Sequence, residues 1–231
     1  MKLLALDTGG EACSAALWIG GEVEERFVLA PRGHSELILS MTGELLADAG
    51  LSRRQLDAVA FGRGPGSFTG VRIAAGVTQG IAYALDIPAV PVSSLGALAQ
   101  GCAGGMAATR VLSAFDARMG EVYWGAYETD ARGLARLCGS EQVCRPQEVP
   151  LPDGGHWLGA GGGWAAYEAI LKDRLGDRLE RVAPDAQVHA RDVATLGAAL
   201  FAAGDFVSAA QARPVYLRDQ VAQKPRPRSN P

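Results

Sequence analysis

One local pattern occurs twice in the chain and constrains its fold more than any other feature. An apolar strand ends in an aspartate, a turn containing glycine follows, and two further strands come after the turn. The first copy begins near Leu3 and has its aspartate at Asp7, and the second begins near Val111 and has Asp116. Because turn glycines supply positive φ angles, each copy is predicted to be an antiparallel meander.

Helical patterns follow each meander. Apolar spacing predicts one helix over 35–49 and a second helix from about Ser67 to Leu85, and later helices are predicted over 164–175 and 192–203. Two similar lobes of mixed sheet with flanking helices, facing each other across a cleft, are the layout of the actin, hexokinase and Hsp70-like superfamily. The sequence therefore predicts this α/β fold.

The domain boundary is predicted at Gly104-Gly105, where the pattern restarts. The predicted organisation is an N-terminal lobe over 1–104 and a C-terminal lobe over 105–190. A late helix and an extended segment over 191–223 are expected to pack back on the body, and 224–231 is expected to be a flexible tail.

Composition excludes several classes of protein. The chain of 231 residues carries a net charge of −3 and shows no basic stripe, so no extended nucleic-acid surface is predicted. It has no long apolar run and no N-terminal leader pattern, which indicates neither a membrane span nor a secreted protein. The four cysteines lack metal-ligand spacing, so we expect no metal site and a reducing, cytoplasmic location.

A glycine-rich loop, Gly62-Arg63-Gly64-Pro65-Gly66-Ser67, precedes the second helix. It is not a Walker A loop, because no Gly-Lys-Ser/Thr follows, and its spacing fits a Rossmann loop poorly. Two interpretations stay open. The glycines either let helix and sheet pack closely, or they form an anion loop at the helix N-terminus with Gly64, Gly66 and Ser67 as the candidate residues.

The run GRGPGSFTGVRIAAGVTQGIAYALDIPAVPVSSLGALA, which starts at Gly62, strongly resembles the TsaB (YeaZ) family. LLALDTGGEACSAAL at the start, RGHSE from Arg32, FDARMGEVYWGAY in the middle and PVYLR from Pro214 agree with it. The resemblance spans nearly the whole chain and is weakest over 129–190. TsaB is a subunit of the bacterial machinery that makes threonylcarbamoyladenosine in tRNA.

The resemblance implies a non-catalytic scaffold that binds and activates the catalytic subunit TsaD. That complex forms N6-threonylcarbamoyladenosine at position 37 of tRNAs reading ANN codons, with threonylcarbamoyl-AMP as donor. The implied partners are a TsaD homologue in a heterodimer, a TsaE-type ATPase, a second copy of the chain when TsaD is absent, and tRNA indirectly through the complex.

No catalytic residue and no metal ligand set are predicted. TsaD holds its metal through an HxxxH motif, whereas here His34 is followed at that spacing by Ile38. A catalytic metal needs about three protein ligands, so His34 alone cannot build the site. We expect His34 to be a solvated residue at a helix start.

The superfamily wraps nucleotide phosphates in the turns that follow its first strands. The corresponding residues here, together with those of an adenosine-side glycine loop, are Asp7, Thr8, Gly9, Gly10, Asp116, Gly161 and Gly162. The alternative is inherited hairpin geometry around an empty cleft, which we favour. No cofactor is firmly implied, and ADP or ATP, in this cleft or at the interface of the complex, is the candidate.

The first two helices carry apolar residues on more sides than a sheet-covering helix needs. We predict that the surplus forms a partner interface built from Leu37, Ile38, Met41, Leu45, Ile73, Val77 and Ile81. The alternative is that both faces pack on the sheet of their own lobe.

Two other functions are weighed against the scaffold. A small-molecule kinase or ATPase of the same superfamily would show ATP turnover by the isolated chain. A peptidase is less favoured, because no Ser-His-Asp arrangement is recognisable.

Overall fold

The computed structural model describes residues 1–30 and 32–218. The strands are β1 (Lys2–Asp7), β2 (Ala12–Ile19), β3 (Glu22–Leu29), β4 (Ala58–Gly62), β5 (Ala89–Val92), β6 (Arg110–Arg118), β7 (Glu121–Thr129), β8 (Ala135–Cys144), β9 (Trp157–Ala160) and β10 (Leu179–Ala183). The helices are α1 (His34–Asp48), α2 (Phe68–Leu85), α3 (Ser94–Met106), α4 (Gly162–Leu175) and α5 (Ala190–Ala202).

The strands form two five-stranded sheets of the same topology. The first has the order β3-β2-β1-β4-β5, and the second has the order β8-β7-β6-β9-β10. In each sheet the first strand pairs antiparallel with the next strand and parallel with a strand that follows later in the chain. The predicted pair of similar lobes built from mixed sheets is confirmed.

Two helices lie between the sheets. Helix α5 packs on β1, β2 and β4 of the first sheet, α3 packs on β6, β7 and β8 of the second, and the two helices contact each other. One buried apolar cluster runs through these layers, from Leu3 and Val92 through Leu98 to Leu158. Helices α1 and α2 cover the outer face of the first sheet, and α4 covers that of the second.

Local sequence accounts for the helix starts. Ser67 Oγ accepts a hydrogen bond from Gly70 N at 3.4 Å, and Ser93 Oγ accepts one from Gly96 N at 3.1 Å. These bonds satisfy backbone donors that an N-terminal turn leaves open. Ser67 and Ser93 are therefore the N-caps of α2 and α3. Strand β10 was not predicted, and it has no fully buried residue.

The C-terminal part of the described chain runs from one lobe to the other. Val207 pairs with Ala89 in the first lobe, and Val215 N donates to Arg63 O at 2.8 Å. Arg218 Nη2 then donates to Arg118 O, at 3.4 Å, in the second lobe. We call residues 207–218 the strap. The predicted tail over 224–231 lies outside the described residues. Within the described ranges, no helix has both the length and the apolar character to cross a membrane.

Candidate functional site

The turn after β1 is buried. Asp7 is 1% exposed, and its two oxygens accept hydrogen bonds from Gly9 N at 2.9 Å and from Ser94 Oγ at 3.2 Å. Removal from water raises the pKa of Asp7 to about 6, against the opposing effect of these hydrogen bonds. Thr8 is fully buried, and its hydroxyl donates to Gly70 O at 2.7 Å. These hydrogen bonds hold the turn against the starts of α2 and α3.

The glycine-rich loop packs directly on that turn. A Cβ added to Gly66 would lie 2.6 Å from Gly9 O, and one added to Gly70 would lie 1.9 Å from Thr8 O. Ser67 N donates to Gly9 O at 2.7 Å, so the amide expected to serve an anion is used within the chain. Gly66 and Ser67 therefore pack closely on the first turn, and the Ser67 amide is not free to bind an anion.

Gly64 belongs to the contact between the loop and the strap. Its φ is +97°, and a built Cβ would lie 3.3 Å from Val215 O. Its carbonyl accepts from Ser94 N at 3.0 Å, at the start of α3. Gly64 therefore permits close backbone approach in a left-handed conformation that a larger residue would strain.

The turn after β6 is more open. Asp116, with its side chain 24% exposed, accepts from Arg118 N at 2.8 Å and from Tyr167 OH at 3.3 Å. Gly161 packs against Ala114 O, at 2.6 Å from a built Cβ, whereas Gly162 faces open space. No hydrogen bond in the described part of the chain joins these residues to the Asp7 turn.

The first turn leaves little room for a nucleotide phosphate. Gly66 packs on the backbone of Gly9, in the turn where the resemblance places a phosphate. Gly10 is exposed, and the side chain nearest to its built Cβ is Gln187, at 3.9 Å. Residues at the first turn therefore do not fit the phosphates of ADP or ATP.

His34 lies at the start of α1, where its Nε2 contacts Ala30 O. The side chain is partly buried, so the expected solvated position is corrected to a half-buried one. Within residues 1–30 and 32–218, no three His, Cys, Asp or Glu side chains are grouped so that they could hold a metal ion.

A polar cluster that sequence reasoning missed joins the lobes. Glu141, with its side chain 7% exposed, accepts hydrogen bonds from Ser93 Oγ and Tyr127 OH through one oxygen. Arg63 Nη2 lies 3.4 Å from the other oxygen. Burial, followed by the Glu141 charge, raises the pKa of Tyr127. Ser93 is a residue type that caps helices, but nothing in the sequence links it to Glu141, which falls where the family resemblance is weakest.

The predicted partner interface is partly wrong. Ile38, Met41 and Leu45 are 0%, 9% and 2% exposed and pack on the first sheet in the lobe's own core. They face inward because the apolar stripe of α1 is the stripe that covers β2. The other four predicted residues are half-buried at the edge of the same cluster, namely Leu37, Ile73, Val77 and Ile81.

The outer face of α2 carries two exposed glycines among these half-buried residues. Gly76 and Gly80 have no atom within 4 Å of a built Cβ. With Ile73 and Val77 they follow the i, i+3, i+4, i+7 spacing of one helix face. A glycine in a helix costs about 1 kcal/mol relative to alanine. Among the described residues, no atom packs beside these two glycines to compensate for that cost.

Comparisons with known proteins agree with one another. The family model described as "TsaD: tRNA N6-adenosine threonylcarbamoyltransferase" matches residues 28–225. The tRNA threonylcarbamoyladenosine biosynthesis protein TsaB of Escherichia coli is 42% identical over 98% of this chain and 99% of its own length. TsaB of Haemophilus influenzae is 39% identical over 98% of both chains.

The structure of YeaZ from Pseudomonas aeruginosa superimposes with a TM-score of 0.87 at 46% identity, covering 94% of this chain and 99% of that one. The two-lobed actin-like fold predicted from the sequence is thereby confirmed, as is the family resemblance. This chain belongs to the TsaB (YeaZ) family of the tRNA threonylcarbamoyladenosine pathway.

Proposed function

We propose that this chain is a non-catalytic scaffold that binds a TsaD homologue through the outer face of α2 and the adjoining edge of α1. The observation that carries the proposal is the pair of exposed glycines, Gly76 and Gly80, beside half-buried Ile73 and Val77. Small residues one helical turn apart let a partner helix approach closely, and the apolar side chains beside them would then be buried.

The packing at the first turn supports the same role, because the chain's own loop fills the space beside Gly9. In the proposed complex the TsaD homologue supplies catalysis, a TsaE-type ATPase joins, and tRNA is modified in the cytoplasm. Without TsaD, the same α2 face would pair two copies of the chain around a twofold axis.

The test is steric. Gly76→Leu and Gly80→Leu favour the helix intrinsically, so the monomer should stay folded while close approach of a partner is blocked. We expect loss of TsaD pull-down and of self-association in light scattering. Gly104→Leu is the matched control, because Gly104 is another exposed helical glycine with open space around it, on α3.

If both α2 variants bind TsaD as well as the Gly104→Leu control does, the interface lies elsewhere. Val77→Asp is a second test. A carboxylate buried in the interface would lose its contact with water, so this variant should also lose TsaD binding. ATP turnover by the isolated wild-type chain would favour a kinase or ATPase instead. Threonylcarbamoyl transfer by the isolated chain would contradict the non-catalytic role.

A further inference from the structure

Helix α2 carries very little charge. From Phe68 to its C-cap, the helix has one charged residue of each sign, Arg72 and the C-cap Asp86. Both are exposed, and neither forms an ion pair within residues 1–30 and 32–218. A helix face that meets only water usually carries several charged residues. The outer face of α2 therefore has the composition of a contact surface, with one positive and one negative group near its ends.

The two charges lie symmetrically about the exposed glycines. The midpoint between Arg72 and Asp86 is position 79, and the midpoint between Gly76 and Gly80 is position 78. The helical rise separates the charges by about 21 Å along the axis, and the helical rotation leaves them about 40° apart around it. They therefore lie on the same side of the helix, at nearly equal distances from the glycines.

This placement makes the face complementary to itself in one orientation. In an antiparallel pair of α2 helices centred on position 79, Arg72 of each copy lies opposite Asp86 of the other. A parallel pair would instead set arginine against arginine and aspartate against aspartate, which costs free energy in an interface. Asp86 also stands at the C-terminus of its own helix, where the helix dipole disfavours a carboxylate. The antiparallel copy would bring an arginine to that carboxylate.

The same register matches the shapes of the two faces. It sets Tyr83, whose side chain is 82% exposed, opposite Ala75 and beside the open space over Gly76 of the other copy. It also sets Val77 opposite Ile81, and both of these are half-buried in the single chain. An aromatic ring would thus fill the gap beside each glycine, and the half-exposed apolar side chains would be covered.

We propose that two copies of this chain pair through antiparallel α2 helices, with Arg72 of each copy bonded to Asp86 of the other. The inference rests on the proposed use of the α2 face, and it adds the register and the charges that specify the pairing. Such a pair is closed, because both copies use the same patch around a twofold axis. The glycines permit close approach, and the reciprocal ion pairs select the orientation.

Charge reversal at the two positions tests the register. In a homodimer, Arg72→Glu sets two acidic groups against each other at both ends, and Asp86→Arg sets two basic groups there. We expect each variant to self-associate about tenfold more weakly than wild type in sedimentation equilibrium at low salt. An equimolar mixture of the two variants should recover wild-type association, because both contacts of the mixed pair then join opposite charges.

Asp173→Arg and Arg178→Glu are the matched controls. They make the same charge changes at exposed residues of the second lobe, away from α2. Each should self-associate within about twofold of wild type, since charges remote from an interface contribute little. Circular dichroism melting checks that every variant is folded, and recovery on mixing is itself possible only for folded chains.

The proposal is wrong if wild type stays monomeric, if the single reversals associate like wild type, or if mixing does not restore association. A parallel pair would give the second of these results, because like charges already oppose each other in it. TsaD pull-down of Gly76→Leu separates this proposal from the preceding one. Loss of TsaD by that variant without recovery on mixing overturns only the register, whereas recovery on mixing with TsaD binding intact overturns only the TsaD face.

Discussion

The two lobes share one topology but differ at the turn that follows their first strand. In the first lobe Asp7 is 1% exposed and the glycine-rich loop packs over the turn. In the second lobe the turn after β6 projects into solvent, with Met119 81% exposed. The repeated topology therefore positions both turns, whereas the segments packed on them decide what each turn is able to contact.

The two turns also differ in backbone conformation. The turn after β6 has three successive left-handed residues, Arg118, Met119 and Gly120, with φ of 62°, 57° and 79°. Only the last is a glycine, so two residues with side chains adopt an unfavourable conformation. Strain is tolerated at this exposed tip, and close packing is required at the buried one.

Gly70→Ala should have the largest effect of the changes considered for the two turns. The added methyl would lie 1.9 Å from Thr8 O, a backbone atom, and overpacking of this severity should cost ~3 kcal/mol or more of unfolding free energy. Gly76→Ala on the same helix faces open space and should instead stabilise by up to ~1 kcal/mol. Urea denaturation of both variants would measure the difference, and equal effects would contradict the packed turn.

Asp7→Asn tests the buried carboxyl through its pH dependence. Because the folded pKa of Asp7 is about 6 and the ordinary value is 3.8, its contribution to stability is fully present below about pH 4 and is lost as the pH rises through 6. That difference corresponds to ~3 kcal/mol at most. The variant should therefore gain stability relative to wild type between pH 4 and pH 8 in thermal melts.

The same pH series contains its own check. All other ionisable groups are common to the two proteins, so their effects cancel in the difference between the two stability curves. Parallel curves between pH 4 and pH 8 would show that burial does not perturb Asp7.

Arg218→Ala should loosen the second turn and leave the first unchanged. The side chain is 16% exposed and bonds Glu121 and Arg118 O, so its loss should cost ~1 kcal/mol. Hydrogen exchange should accelerate over 116–121 but not over 7–12. The control is Arg132→Ala, which removes a 70% exposed partner of Asp130 and should change little.

Met119→Gly should have the smallest effect, opposite in sign to Gly70→Ala. Glycine adopts a φ near 57° without steric cost, although it also raises the entropy of the unfolded chain. The two contributions should leave a net change below ~1 kcal/mol, towards stabilisation. A clear loss of stability in urea denaturation would mean that the contact between Met119 Sδ and Arg218 Nη1, at 3.6 Å, outweighs the relief of backbone strain.

Periodicity predicted most of the secondary structure because the elements that cover a sheet carry a regular apolar pattern. The meanders starting at Leu3 and Val111 and helix α2 were predicted with bounds close to those observed. Strand β10 was missed because its half-exposed residues alternate too weakly to signal a strand. The helix interface was mispredicted at Ile38, Met41 and Leu45, since an apolar residue's spacing does not tell which side of its helix the sheet covers.

The sequence by itself determined the two lobes, the family and the unusual glycine content of one loop. Those properties depend on local pattern and on residue identity, which a linear chain already contains. Only the tertiary structure decided that Gly66 and Gly70 pack on the first turn, that Glu141 joins the lobes, and that Phe68 meets Tyr216. These contacts link residues 48 to 148 positions apart, and no local pattern encodes which of them fold together.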